Sequence, residues 1–166
     1  VGEVMAIGRT FREALLKGFR SLETGKTLDS EATDPERIRE HLVRPNFSRL
    51  SYINLAFRQG YTVEEISKLT TIDPWFLEQI ERVVGMGQEL EKVELSEVGR
   101  EQLLRLKREG ISDLALSQIL SADKGNGLSG EPEEGAASGK LREEDVFRYR
   151  EKMGVAPVFK RVDTCA

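Results

Sequence analysis

The sequence predicts an all-α fold arranged in two lobes, with a short extended segment at each end. Three observations support this prediction. Apolar residues recur at spacings of three and four, which is the period of an amphipathic helix. The helix boundaries are marked by Asp-Pro pairs, Ser/Thr caps and glycines. In addition, a helix–Gly–cap–helix pattern occurs twice, at an offset of 50 residues.

The first predicted helix begins at Thr10, because Thr10 and Glu13 have the spacing of a capping box. We expect it to end at Gly25, where glycine supplies a left-handed stop. The apolar face of this helix consists of Phe11, Leu15, Phe19 and Leu22.

The second predicted helix begins at Asp34 and Pro35, which form an N-cap followed by proline at the first helical position. Ile38 and Leu42 give it a short apolar stripe, and Pro45 ends it.

A third helix is predicted over residues 48–59 and ends at Gly60. Thr62 and Glu65 then form a second capping box, which begins a helix of two turns.

Asp73 and Pro74 repeat the combination of N-cap and proline, so they predict the start of the longest helix, over residues 75–94. Its expected apolar positions are Phe76, Ile80, Val83 and Leu90.

A sixth helix is predicted over residues 98–109 and ends at Gly110, after which Ser112 caps a seventh. Residues 121–140 hold five of the 15 glycines and no aromatic residue, which indicates a flexible insert. An eighth helix follows over residues 142–152.

The repeat pairs the third and fourth helices with the sixth and seventh. Its matching positions are Gly60 with Gly110, Thr62 with Ser112, Ile66 with Leu116, Leu69 with Ile119, and residues 75–76 with 146–147. We expect the two resulting three-helix units to pack together.

The composition excludes several classes of protein. The chain has 166 residues, of which 39% are hydrophobic and 33% charged, so it can form a core and is not a disordered tail. It contains no apolar run long enough to cross a bilayer and no signal peptide, so we expect a cytoplasmic location and no membrane partner. The net charge of −4 does not favour binding to nucleic acid or anionic lipid.

No catalytic, cofactor-binding or metal-ligating residue is predicted. The single cysteine, Cys165, and the single histidine, His41, cannot provide an internal disulfide or a zinc site of the usual Cys/His type. Paired acids such as Glu64 and Glu65 lie at helix starts, where their negative charges interact favourably with the helix dipole. No phosphate-binding glycine loop or nucleophile motif is present in the sequence.

The alternative function is a helix-turn-helix module that binds nucleic acid. A helix, a glycine turn and a capped second helix have that arrangement. However, Glu64 and Glu65 on the second helix would repel phosphates, and the second copy carries no arginine or lysine on that helix. Trp75 and Phe76 are either a binding hot spot or core residues, and we favour a core role for at least one of them.

Four segments resemble one known family along nearly the whole chain. Residues 1–10 (VGEVMAIGRT) resemble the segment that closes the first ATP-grasp half of the carbamoyl-phosphate synthase large chain. Residues 160–166 (KRVDTCA) resemble the segment that opens its second half. Residues 72–80 (IDPWFLEQI) and, more loosely, 103–112 are similar to its middle domain.

This resemblance implies that residues 10–154 are the helical oligomerisation domain, with 121–140 as its insert. Residues 1–9 would be the end of the preceding ATP-grasp half, and 155–166 the start of the following one. The parent enzyme would make carbamoyl phosphate from bicarbonate, glutamine-derived ammonia and two ATP, for pyrimidine and arginine biosynthesis. ATP and Mg²⁺ or Mn²⁺ would bind in the flanking halves, so no cofactor is expected here. The expected partners are those two halves, a glutaminase small chain and further copies of the same chain.

A piece cut from such a protein should expose apolar patches that its neighbours normally cover. We expect these patches at two places, which are formed by Val4, Met5 and Ile7 and by Val158, Phe159 and Val162. For self-association, the expected interface is the second helix, with Ile38 and Leu42 as candidate residues.

Overall fold

The computed structural model describes residues 4–21, 34–121 and 141–159, and within these ranges the all-α prediction is confirmed. Eight α-helices are present and no strand is formed in this part of the chain. They are α1 Phe11–Ser21, α2 Pro35–Val43, α3 Arg49–Arg58, α4 Val63–Thr70, α5 Pro74–Leu90, α6 Arg100–Arg108, α7 Asp113–Ser121 and α8 Glu143–Lys152, with a 3-10 turn at Leu95–Glu97.

The caps predicted from the sequence form where they were expected. Asp73 Oδ1 accepts a hydrogen bond from the Trp75 amide at 2.8 Å, and Asp34 caps α2 in the same manner. The Thr62 hydroxyl accepts from the Glu65 amide at 3.2 Å, while the Glu65 carboxylate accepts from the Thr62 amide at 2.8 Å. These bonds satisfy amides that the helix itself leaves without partners.

The capping box of α1 differs from its prediction in one bond. The Thr10 hydroxyl accepts from the Glu13 amide at 3.1 Å, as expected. The Glu13 carboxylate, however, accepts from the amide of Arg9 at 2.8 Å rather than from that of Thr10. Glu13 therefore fixes the backbone one residue further upstream. The predicted positions Leu22 and Gly25 lie outside the described residues.

Two separate apolar cores confirm the two-lobed arrangement. Lobe 1 comprises α2, α3, α4 and the first half of α5, and its most deeply buried residues are Ile38, Leu42, Ile53, Ala56, Ile66 and Leu77. Lobe 2 comprises the end of α5, α6, α7 and α8, and its most deeply buried residues are Leu90, Val98, Leu103, Leu106, Leu116 and Val146. Each core is closed by helices that pack their apolar faces together.

The internal repeat is a repeat of structure. In lobe 1 the amide of Tyr61 donates to the Ala56 carbonyl at 3.0 Å, and in lobe 2 the amide of Ile111 donates to the Leu106 carbonyl at 3.2 Å. Both bonds belong to the helix-ending turn that a left-handed glycine permits. Buried positions repeat at the same offset, and the pairs are Ile53 with Leu103, Ala56 with Leu106, and Ile66 with Leu116.

The third helix of each unit corresponds in a different register from the one predicted. Asp73 is the N-cap of α5 and Arg142 is the N-cap of α8. Counting from these caps pairs the buried Leu77 with the buried Val146, so the pairing of 75–76 with 146–147 is wrong by two positions. The register follows from where each helix begins, at Asp73 and at Arg142. The apolar pairs 75–76 and 146–147 alone would fit either alignment.

The inward face of α5 also differs from its prediction. Leu77, Ile80, Val84 and Leu90 are buried, whereas Phe76 is 43% exposed. Phe76 and Leu77 are adjacent and both apolar, so the period of the stripe alone did not decide which of them faces the core.

Helices α5 and α1 extend along both lobes. Leu77 and Val84 of α5 lie in the core of lobe 1, and Leu90 lies in the core of lobe 2. On α1, Leu15 packs against lobe 1 and its neighbour Leu16 packs against lobe 2. These two helices therefore join the lobes.

The glycines that end α3 and α6 have the same backbone conformation but different surroundings. Gly60 has φ = 88° and Gly110 has φ = 99°, so both occupy the left-handed region. A Cβ added at Gly60 would meet no atom within 4 Å. A Cβ added at Gly110 would lie 2.9 Å from Cα of Glu13 on α1.

These two glycines form a matched pair for mutagenesis. Gly60→Ala should lower the free energy of unfolding by about 1 kcal/mol, the cost of a left-handed alanine. Gly110→Ala should lower it by roughly 1 kcal/mol or more beyond that, because its methyl group overlaps the backbone of α1. Urea denaturation followed by circular dichroism measures both values, and equal losses would contradict the close packing of α1 on this turn.

Candidate interaction surfaces

Three aromatic side chains form a cluster where α1 meets the start of α5. The Phe11 ring lies 5.6 Å from the ring of Trp75 and 5.2 Å from that of Phe76, measured between centroids. Trp75 remains 51% exposed and Phe76 43% exposed. The favoured core role is therefore wrong for both residues, since neither is buried. They attach α1 to α5 and leave an aromatic surface open to solvent.

The corner between α2 and α3 is held by side chains that bond its backbone. Arg49 donates from Nε and Nη2 to the Leu42 carbonyl at 2.9 and 2.6 Å. The Asn46 amide group donates to the Arg44 carbonyl at 2.7 Å, and its oxygen accepts from the Ser48 amide at 2.9 Å. The end of α2 and the start of α3 therefore have a fixed relative position.

This corner presents two apolar side chains to solvent. Phe47 is fully exposed, at 102% of its reference area, and Val43 is 49% exposed. Phe47 and Val43 lie on the same corner, and a contiguous exposed apolar patch is a candidate interaction site, whereas a single exposed apolar residue is not. We define the corner surface as Val43, Phe47 and the charged residues Glu40 and Arg44 beside them, which form an exposed ion pair at 3.1 Å.

The two candidate interface residues on α2 occupy different positions from those expected. Ile38 and Leu42 both have 0% exposure and belong to the core of lobe 1. The prediction is therefore wrong for these two side chains, which have no free area to offer a second copy. The apolar stripe of this short helix is used against α3 and α4. A contact made by the other face of α2 stays a prediction.

The terminal patches expected from the sequence are exposed. Val4, Met5 and Ile7 precede α1, and Val158 and Phe159 follow α8, with all five open to solvent. Val162, the sixth predicted member, lies outside the described residues.

An ionic cluster holds lobe 2 to the segment that follows α8. The Asp113 carboxylate accepts from Lys107 Nζ at 2.9 Å and from Arg150 Nε at 3.2 Å. Arg150 also donates from Nη1 to the Val155 carbonyl at 2.7 Å. Burial lowers the pKa of Lys107, and the bond to Asp113 opposes that effect. The cluster joins α6, α7, α8 and residue 155, so its role is to stabilise the fold of lobe 2.

The residues considered for chemistry do not come together. The His41 ring contacts the ring of Tyr52 at an interplanar angle of 43°, with centroids 3.9 Å apart, and Cys165 lies outside the described residues. No group of three or more metal-ligating side chains occurs in the ranges that the structure covers. An open groove between the α3–α4 turn and α5 is bordered by Glu64, Glu78 and Glu81. Arg82 also lines the groove, but three exposed carboxylates outnumber its one guanidinium and disfavour a phosphate ligand.

The helix-turn-helix alternative is also weakened by the placement of its charges. Glu65 accepts from the Thr62 amide at the start of α4, and Glu64 beside it is exposed. In the second copy, Lys107 is bound to Asp113 rather than presented to solvent. Among the described helices, none has the length and apolar character of a membrane span.

Comparison with known proteins identifies related sequences. A family model described as the carbamoyl-phosphate synthetase large chain, oligomerisation domain, matches residues 3–128. This match covers all helices from α1 to α7.

Curated relatives match over the entire chain. A carbamoyl phosphate synthase large chain from Acidobacterium capsulatum is 45% identical over 166 residues. Proteins of the same name from Pseudomonas aeruginosa and a Nostoc species are 40% identical over 172 residues and 39% identical over 171. The chain spans about 14% of the length of each of these relatives.

The charges around Glu13 predict a loss of stability in acid. Burial acts to raise the pKa of Glu13, but bonds from Lys17 and Arg9 outweigh it and lower the pKa from 4.5 to about 2. The resulting stabilisation is complete above pH 4.5 and disappears as the pH falls through 2. It amounts to up to about 3 kcal/mol.

Between about pH 5 and pH 2 the unfolding free energy of the parent should decrease as Glu13 becomes protonated. In Glu13→Gln this decrease should be smaller, because that carboxylate is absent. Urea denaturation at a series of pH values measures that slope. Glu144→Gln is the control, because it removes an exposed carboxylate elsewhere. A Glu13→Gln slope equal to that of the parent would contradict the prediction.

Proposed function

The chain belongs to the family of oligomerisation domains of the carbamoyl-phosphate synthetase large chain, and we propose how it serves the parent enzyme. In this proposal the chain is a non-catalytic spacer that links two synthetase halves and contacts a second copy of itself. The observation that carries the self-association is the fully exposed Phe47 on the fixed α2–α3 corner.

The parent reaction is proposed from the names of the relatives and from the segments that resemble the family. The whole protein is a glutamine-hydrolysing ligase that makes carbamoyl phosphate from bicarbonate, ammonia and two ATP in the cytoplasm. ATP and Mg²⁺ or Mn²⁺ bind in the flanking ATP-grasp halves, and a glutaminase small chain supplies the ammonia.

The linking role is supported by how the terminal segments are attached. Lys17 donates to the Ile7 carbonyl at 3.1 Å, which fixes the segment before α1. Arg150 holds the Val155 carbonyl, and Arg100 donates to the Met153 carbonyl at 3.1 Å, which fixes the chain after α8. Both segments therefore leave the helical body in set directions. Their exposed apolar residues suit burial against the flanking halves.

A second copy suits the corner surface for two reasons. The backbone of the corner is already ordered, so binding costs little additional conformational entropy. The surface also carries one carboxylate and one guanidinium, Glu40 and Arg44, beside the apolar Val43 and Phe47. A contact related by a twofold axis is self-complementary, so Glu40 of each copy can face Arg44 of the other.

Phe47→Asp should weaken self-association at least tenfold, because it places a carboxylate in the apolar centre of the contact. Sedimentation equilibrium over a concentration series measures the dissociation constant. Leu114→Asp is a matched control, since Leu114 is an exposed apolar residue on lobe 2. Circular dichroism verifies that both variants fold.

Two outcomes would contradict the corner contact. One is a chain that sediments as a monomer at every concentration tested. The other is a Phe47→Asp variant whose dissociation constant equals that of Leu114→Asp.

The 166-residue chain should show no turnover when incubated with bicarbonate, ATP and ammonia, because the proposal assigns all chemistry to the flanking halves. Release of ADP and phosphate, measured by a coupled spectrophotometric assay, gives the rate. A rate above that of the buffer blank that persists after repurification would overturn the spacer proposal.

A further inference from the structure

We infer that α1 is a coupling element that holds the two lobes in one fixed arrangement through the guanidinium of Arg12. This inference deepens the proposed function and rests on it for its meaning in the parent enzyme. Its physical basis lies in the contacts that α1 makes on both sides.

Arg12 bonds one residue in each lobe. Its Nε and Nη2 donate to the two carboxylate oxygens of Glu109, at 2.5 and 3.0 Å, where α6 ends in lobe 2. Its Nη1 donates to the side-chain oxygen of Gln79, which lies on the part of α5 that belongs to lobe 1. A planar guanidinium can bind a carboxylate in this two-pronged manner and still have a donor free for a third acceptor.

The energetics of this bridge are favourable because it is partly shielded from water. The side chains of Arg12 and Glu109 retain 17% and 21% of their exposed area. The bond from Arg12 holds the pKa of Glu109 below its usual range, so the carboxylate stays charged at neutral pH. Such shielded pairs are worth more than fully exposed surface pairs.

Apolar contacts along α1 reinforce the same division. Leu15 packs against the core of lobe 1 and Leu16 against that of lobe 2. Phe11 contacts the rings of Trp75 and Phe76 at the start of α5. Successive side chains of one short helix thus reach into different lobes, which a helix belonging to a single lobe would not do.

The position of α1 connects three features of the molecule. The upstream segment is bonded to α1 through Glu13 and Arg9. The corner surface with Phe47 belongs to lobe 1, and the segment held by Arg150 leaves from lobe 2. A change in the position of the upstream segment would therefore act directly on the helix that sets the angle between the proposed oligomer contact and the exit of the chain.

Hydrogen–deuterium exchange of the 166-residue chain tests this coupling. The measured quantity is the ratio of amide protection in α3 and α4 to that in α6 and α7, compared between the parent and Arg12→Met. Methionine keeps an unbranched apolar stem and removes both hydrogen-bonding connections. Arg148→Met is the matched control, since Arg148 is exposed and bonds Glu144 within α8.

We expect Arg12→Met to lower the protection of lobe 2 at least tenfold relative to that of lobe 1. Lobe 2 loses more because two of the three Arg12 bonds go to Glu109 at the end of α6, whereas one goes to Gln79 on the lobe 1 part of α5. Arg148→Met should leave the ratio unchanged. A loss of protection by the same factor in both lobes, or no change in either, would overturn the coupling role of α1.

Glu109→Gln provides a second test should Arg12→Met fail to fold. It removes the charge that Arg12 binds and leaves the bond to Gln79 in place, so the ratio should move in the same direction by a smaller factor. An unchanged ratio in this variant would also overturn the inference. Parent and variant are compared at the same chain concentration, so protection from a contact at the corner surface contributes equally to both ratios. A negative result with Phe47→Asp would therefore leave this test intact.

Discussion

The contact between Arg12 and Glu109 is the interaction on which the arrangement of the two lobes depends. Each lobe closes its own core, and α5 contributes buried residues to both. A single helix with lobes packed on either end could bend or twist between them. Arg12 closes a second connection on α1, beside the point where Gly110 lets the backbone of α6 and α7 approach that helix.

The local structure was predictable because its chemistry is local. The capping bonds at Thr62 and Asp73 involve residues two or three positions apart, so the sequence contains both partners. The left-handed turns at Gly60 and Gly110 are equally local, since they need a residue without a Cβ. These short-range constraints fix the starts of α4, α5 and α7 and the ends of α3 and α6, and with them the repeat. The helix predicted over 75–94 ends at Leu90 instead, where no glycine or proline marks the stop.

The tertiary choices were less predictable. On α5, Phe76 and Leu77 fit an apolar stripe equally well, and the packing of α1 decided that Phe76 would remain partly exposed against Phe11. On α1, Leu15 and Leu16 serve different lobes, and no single-face pattern describes a helix lying between two cores. Hydrophobic periodicity predicts one buried face per helix, so it does not predict a helix that packs on two sides.

The candidate interface illustrates the same limit. Ile38 and Leu42 were selected as the apolar residues of a short helix, yet lobe 1 uses both in its own core. The exposed Phe47 lies between helices, outside any stripe. A useful sequence pattern was present, because a large aromatic residue two positions after Pro45 has no helical face on which to be buried.

The central claim is that this helical domain behaves as one rigid unit between the parts it joins. Backbone residual dipolar couplings measured by NMR in a weakly aligning medium test it most directly, because each lobe reports its own alignment. The account predicts that the couplings of both lobes fit a single alignment tensor with the relative orientation of the structure. Two tensors of different magnitude would show that the lobes move independently, and would contradict it.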